Sequence, residues 1–127
     1  MFQNFLQMLS FLHKQGVMIL AGTDTENPFV VPGFSLHDEL ELYIKAGLSP
    51  LEALQTATLN PAIFMHKENE LGTVAKGKLA DLVILDQNSL VEIKNTRTIN
   101  AVIMNGHLID RDQINKLLEQ LKERALK

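Results

Sequence analysis

The sequence predicts an α/β chain in which one unit of a covered parallel sheet is followed by part of a separate, smaller β structure. Three observations predict it. The apolar run Val17 to Ala21 stands between Gly16 and Gly22 and breaks into Gly22-Thr23-Asp24, and such continuous apolarity marks a strand buried on both faces. Helical patterns flank that run on either side. Farther on, Asn105-Gly106 separates two β-rich segments, the pair that a two-residue type I′ hairpin turn demands.

Taken in order, Phe2, Phe5, Leu6, Leu9 and Leu12 recur at helical spacing up to Lys14-Gln15-Gly16, a basic last turn followed by a glycine stop. The strand Val17–Ala21 follows at once. Thr25 to Gly33 contains two prolines and a glycine and is expected as an irregular loop over the sheet's end, where loops carry function. Ser35 is expected as the N-cap of a second helix with Asp38 three residues on and Leu36, Leu40 and Ile44 as its apolar stripe, stopping at Gly47. Ser49-Pro50-Leu51-Glu52 repeats the capping logic and opens a third helix with Leu51, Leu54, Ala57 and Thr58 on one face. Asn60-Pro61 starts a short fourth.

From Leu71 the chain is expected to turn to strands. Leu71–Val74 and Gly77–Asp81 read as short extended pieces, Leu82–Leu85 as a β-rich run, and Ala101–Met104 with His107–Ile109 as the hairpin. Asp110 to Gln113 resembles the cap of a last helix striped by Ile114, Leu117, Leu118 and Leu121 and ending in a charged, frayed tail. One parallel strand cannot make a sheet, so the chain reads as a piece of a larger fold.

Composition narrows the function classes. The chain has 127 residues, 46% hydrophobic, a formal net charge of −3 and no cysteine. Scattered lysines and arginines leave no electrostatic footprint for nucleic acid, and the lack of cysteine excludes disulfides and thiolate metal sites. The apolar runs fall far short of the roughly 20 residues of a bilayer span, and the first residues lack a charged signal-peptide start. A cytoplasmic protein without membrane contact is expected.

Five stretches taken together carry a family resemblance. They are Gly22-Thr23-Asp24, Leu36-His37-Asp38-Glu39-Leu40, Ala46 through Leu54, Ala57-Thr58-Leu59-Asn60-Pro61-Ala62, and Leu71 through Leu85 continuing to Val102-Ile103-Met104-Asn105-Gly106. In this order they resemble the C-terminal third of the amidohydrolase superfamily, in particular its imidazolonepropionase-like and Xaa-Pro dipeptidase (prolidase-like) members. The resemblance implies a metal-dependent (β/α)₈ barrel, a TIM barrel, with a small β-sandwich built from both chain ends. Residues 1–68 then form the C-terminal end of the barrel (helix 7, strand 8 at Val17–Ala21, and the helix 8 layer), residues 69–110 the C-terminal part of the composite sandwich, and residues 111–127 a C-terminal helix.

Asp24 is the first candidate site residue. A carboxylate at the C-terminal end of a barrel strand sits where such enzymes keep their chemistry, although aspartate is also a common loop cap. By resemblance Asp24 matches the family's last metal ligand, which also takes a proton from the attacking water. A divalent metal lowers the pKa of bound water toward about 7, and a nearby carboxylate can pass the proton to the leaving nitrogen. His37, just inside a helix start behind the loop, is the candidate substrate-binding residue, with ordinary packing as its competing role. His13, His66 and His107 read as structural or exposed, and Asp81 as structural.

The family's His-x-His pair and other ligands have no counterpart here, and one carboxylate does not hold a catalytic zinc, which normally needs three protein ligands. The expected cofactor is a divalent metal, zinc first, in the complete enzyme and none on this chain alone. The implied function is a C-terminal fragment of a hydrolase of C–N bonds in an amide, cyclic amide or dipeptide, inactive by itself. The alternative is a stand-alone, non-catalytic module beginning at Met1, which buries its first helix and Val17–Ala21 by self-association.

Overall fold

The computed structural model describes residues 2–25 and 27–125; Met1, Glu26 in the expected loop, and the last two residues of the expected tail lie outside them. Helix α1 spans Phe2–Lys14, α2 Ser35–Lys45, α3 Pro50–Thr56 and α4 Leu59–Phe64. Strand β1 (Leu82–Leu85), a 3₁₀ turn at Ile93–Arg97, β2 (Ile99–Met104), β3 (His107–Ile109) and α5 (Arg111–Ala125) complete the chain. None of these helices is long and apolar enough to cross a membrane.

The helical layer holds the core. Leu40 and Tyr43 of α2, Ala46 and Leu48 after it, Ala53 of α3 and Ile93 of the 3₁₀ turn form one buried cluster, flanked by Leu6 and Leu9 of α1 and by Ile19 and Ala21. The expected stripe of α2 points inward at Leu40, whereas α3 buries Ala53 and Thr56 and leaves Leu51 half exposed. Small residues on α3 let it approach α2 closely. On α1, Leu6 and Leu9 face the core while Phe5, Met8 and Phe11 stay more than half exposed.

Local signals set the helix ends. Ser49 Oγ accepts from the Glu52 amide and Glu52 Oε2 accepts from the Ser49 amide at 2.8 Å, the reciprocal capping box that the sequence announces, worth about 1 kcal/mol. The hydrogen bonds from Ser49, aided by His13, hold the Glu52 carboxyl below its usual range. Helix α2 closes with Leu48 N–H on Tyr43 O and Gly47 N–H on Ile44 O, a pattern that needs Gly47 at φ +102°. Its start differs from expectation: the N-cap position is Phe34, with no side-chain cap. Ser35 is the first helical residue, and its hydroxyl accepts the Val31 amide instead, because the loop folds back over the helix start and presents a closer donor.

The β structure is a three-stranded antiparallel sheet in the order β1-β2-β3. Val83 faces Val102, and Val102 faces Ile109. The register slips between Ile84 and Leu85, leaving Asn100 unpaired in the ladder with its amide on Asp86 Oδ1. The hairpin turn has Asn105 at φ +50° and Gly106 at φ +76°, as a type I′ turn requires. Asp81 Oδ1 accepts the Asn105 amide at 2.7 Å, so that acid braces the turn. Asp110 and Gln113 exchange hydrogen bonds at the start of α5, as the cap pattern predicts. Helix α5 packs on β2, yet Leu117 and Leu121 of its stripe remain more than half exposed.

Two expected extended regions are not strands. Leu71–Val74 and Gly77–Asp81 pass through bends and turns, because the Lys78 ammonium gathers Glu68 O, Leu71 O and Thr73 Oγ1 around itself and closes the chain into a compact loop. Val17–Ala21 belongs to no strand ladder. The reason is the partner supply: a parallel strand needs neighbours for its amides and carbonyls, and among the described residues none lies beside it. Side chains of the helical layer and the Thr56 carbonyl take their place.

Candidate active site

The approach to Asp24 is held at successive residues. Asn60 Nδ2 of α4 donates to Ile19 O at 2.8 Å, Tyr43 Oη of α2 lies 3.3 Å from Leu20 O, and Thr56 O of α3 accepts the Ala21 amide at 2.9 Å. Glu39 Oε1 of α2 then accepts the Gly22 amide at 3.0 Å and also the Tyr43 hydroxyl. Burial and then the adjoining Glu39 carboxylate push the Tyr43 hydroxyl far above its ordinary range, so it stays a donor. Helices α2, α3 and α4 thus grip one side of the segment. Its other side is open, with Val17 and Met18 almost half exposed.

Beyond Gly22 the chain changes course at Asp24, whose carbonyl accepts the Asn27 amide at 3.4 Å. Asp24 sits at φ +50°, a left-handed conformation uncommon outside glycine but tolerated by aspartate. Its carboxylate is exposed and accepts Asn27 Nδ2 at Oδ2, 2.5 Å away; the same amide group reaches Asp24 O at 3.2 Å. The result is a solvent-facing carboxylate on a left-handed residue, just beyond a segment held by Asn60, Thr56 and Glu39. Strain of this kind collects at functional turns.

His37 is placed elsewhere. Its Nδ1 lies 2.9 Å from Thr96 Oγ1 in the 3₁₀ turn, and because that hydroxyl donates to Ile93 O, Nδ1 must be the donor. Among the described residues no hydrogen bond joins His37 to Asp24. Beside it Arg97 Nη2 bridges Asp38 and Glu41 at 2.5 and 3.0 Å, tying α2 to the β half; the hydrogen bond to Glu41 raises the guanidinium's pKa further. Burial first, then the Arg97 charge, lowers the His37 pKa from its ordinary 6.5. The folded state therefore binds this proton less readily than the unfolded chain, so the contribution is present above pH 6.5 and is lost as the pH falls through the folded value. Urea midpoints measured at pH 7.5 and 5.5 will drop at the lower pH, and the drop will be smaller in His37→Gln.

The other candidates fall where expected or nearby. His13 Nε2 meets Glu52 Oε1 at 3.1 Å, His66 closes α4 at φ +56°, and His107 is exposed on β3. A cleft of about 250 Å³ opens between His13, Val17, Ile19, Glu52 and Asn60, at the beginning of the anchored segment rather than beside Asp24. Among the described residues no three His, Asp or Glu side chains gather closely enough to hold a metal ion. Asp24 is a single carboxylate, and that donor set by itself does not fit a catalytic divalent metal.

The sequence profile of the Amidohydrolase family matches residues 4–109. The chain belongs to the amidohydrolase family. It is similar to the imidazolonepropionase of Thermoanaerobacter pseudethanolicus, 37% identical over 62% of this chain and 19% of that protein. It is also similar to the adenine deaminase of Desulforamulus reducens, 40% identical over 62% of this chain and 12% of the relative. Among solved structures, a Xaa-Pro dipeptidase with methionine in its active site superposes with a TM-score of 0.72 at 27% identity, covering 83% of this chain and 25% of that one. A putative prolidase from Bifidobacterium longum superposes likewise, with a TM-score of 0.76 at 35% identity over 91% of this chain and 30% of that one, so this α/β chain matches only a part of each. The chain spans about a fifth or less of the curated relatives and about a quarter of the dipeptidase.

Sequence reasoning passed over Glu39, Tyr43 and Asn60 as site-shaping residues. A signal for the first two was present: a carboxylate four residues before a tyrosine on the buried stripe of α2 is a pair that must satisfy itself or a neighbouring backbone.

Proposed function

We propose that this chain is the C-terminal part of a metal-dependent amidohydrolase that cleaves a C–N bond in a small amide, cyclic amide or dipeptide, with Asp24 as its site carboxylate. The observation that carries the reading is Asp24 itself, exposed at φ +50° at the end of a segment anchored from three helices. In this reading residues 1–68 are the end of a barrel with Val17–Ala21 as its last strand, residues 69–110 a share of a small sandwich, and residues 111–127 an appended helix. The half-exposed faces of Val17, Met18 and Val83 support it, since each is a surface that neighbouring strands or a second sheet would cover.

Asp24 accepts a proton at a carboxylate oxygen and returns it to the leaving nitrogen. Asp24 would be one of the groups holding a divalent metal, zinc by first expectation, which would supply the activation of water in the complete enzyme together with ligands that the described residues do not provide. His37 faces the 3₁₀ turn rather than Asp24, and a substrate would meet it only through Nε2, because Nδ1 is spent on Thr96. The names of the relatives, an imidazolonepropionase and an adenine deaminase, favour a small nitrogen-containing substrate.

A second reading is favoured by the exposure of Phe5 and Phe11 on α1 and of Leu117 and Leu121 on α5: a non-catalytic module that self-associates through these faces. The endogenous protein decides between them. Isolated from its cells and assayed with added zinc, it will hydrolyse cyclic amides, aminopurines or dipeptides in a chelator-sensitive way. A 14.2 kDa species that sediments as an oligomer and hydrolyses none of them would overturn the enzymatic reading.

A further inference from the structure

We propose that Glu39 is the positioning residue for Asp24, pinning the Gly22 amide so that the Gly22-Thr23-Asp24 turn holds one geometry. The inference rests on the reading of Asp24 given above. Of the anchors along the segment, Glu39 is the last before the aspartate: Ile19 and Ala21 are held by Asn60 and Thr56 and Gly22 by Glu39, while the single Tyr43 hydroxyl proton goes to Glu39 and leaves Leu20 O only a 3.3 Å contact. Among the described residues, Asp24 is thereafter held through Asn27, three residues on in the same loop. Releasing Gly22 moves the hinge of the turn back to Ala21 and sets Asp24 free with it.

Two further features separate this carboxylate from a surface glutamate. Its Oε1 is shared between the Gly22 amide and the Tyr43 hydroxyl, and Tyr43 is itself buried in the core cluster, so the pin is fastened to the packed core of the helical layer. Its Oε2 is shielded from solvent with no hydrogen-bond partner among the described residues. Shielding an unpaired carboxylate oxygen is costly, and an apolar residue at this place on α2 would avoid that cost. What an apolar residue cannot do is accept from Gly22. Catalytic carboxylates tolerate little displacement, a misplacement of about 1 Å costing on the order of 100-fold in rate.

The test compares Glu39→Ala, Glu39→Gln and Tyr43→Phe in the complete protein, reading steady-state kinetics and amide hydrogen exchange across Gly22–Asp24. Glu39→Ala is expected to lower kcat by about 100-fold with KM changed less than about twofold, and to speed exchange in that segment while leaving α3 protected. Glu39→Gln, which keeps a carbonyl acceptor for Gly22, is expected to restore kcat to within a few-fold. Tyr43→Phe falls between them, and keeps the idea testable should the alanine variant fail to fold. Unchanged exchange at Gly22–Asp24 in Glu39→Ala, or equal losses in the alanine and glutamine variants, would overturn the pin. If the unaltered protein hydrolyses no amide, the enzymatic reading fails, and the exchange comparison still decides whether Glu39 holds the turn.

Discussion

Replacing Asp24 with asparagine in the complete enzyme will lower kcat by about 10²–10⁴-fold, the usual worth of a positioned proton-transfer group, without lowering stability. The structure explains why the two effects separate. Asparagine enters the left-handed region as readily as aspartate, so φ +50° adds no new strain, and its side-chain carbonyl can still accept the Asn27 amide that now meets Oδ2. The turn survives while the group that takes up a proton is gone. Kinetics over a broad amide panel, together with urea midpoints of both proteins, provide the check. Activity within tenfold of the unaltered enzyme at equal metal content would remove Asp24 from the reaction.

The largest expected loss of stability is at Leu40. Its side chain is 3% exposed and belongs to the buried cluster that α2 shares with Ala53 of α3 and Ile93 of the 3₁₀ turn, so Leu40→Ala opens a hole in that shared core. A buried leucine truncated to alanine costs about 2–5 kcal/mol, the upper end applying where the walls cannot collapse. Here two of the walls are held in place: α3 begins at a capping box, and the 3₁₀ turn is tied to α2 through the side chains of His37–Thr96 and Arg97. Leu51→Ala is the control, because Leu51 is 53% exposed and should change the urea midpoint little. Equal shifts in the two variants would place the core elsewhere.

The features legible in the residues were those set by neighbours in sequence. Ser49-Pro50-Leu51-Glu52 closes on itself within four residues, and Asn105-Gly106 needs only its own dihedral freedom, so both appear as read. The 3₁₀ turn at Ile93–Arg97 went unread because it carries no cap or glycine signal and is stabilised by Arg97 reaching Asp38 and Glu41 across the fold. Ser35 was misread as a cap because its hydroxyl has two local partners to choose from, and the loop's Val31 amide takes it. Asp24 was legible from the break between an apolar run and a turn. Glu39 was legible only as a partner for Tyr43, since nothing near it in the chain says that Gly22 will come to lie against it.

The sequence by itself determined the family, the helix starts and stops of the second half of the helical layer, the hairpin and the candidate carboxylate, because each rests on short-range chemistry or on an ordered set of local motifs. Only the tertiary structure decided that Val17–Ala21 runs without a ladder, gripped on one side by Asn60, Tyr43 and Thr56, and that Glu39 fastens the turn before Asp24. Those outcomes depend on which donors and acceptors arrive from 17 to 41 residues away, and a buried backbone group takes whatever partner the packing of helices brings to it.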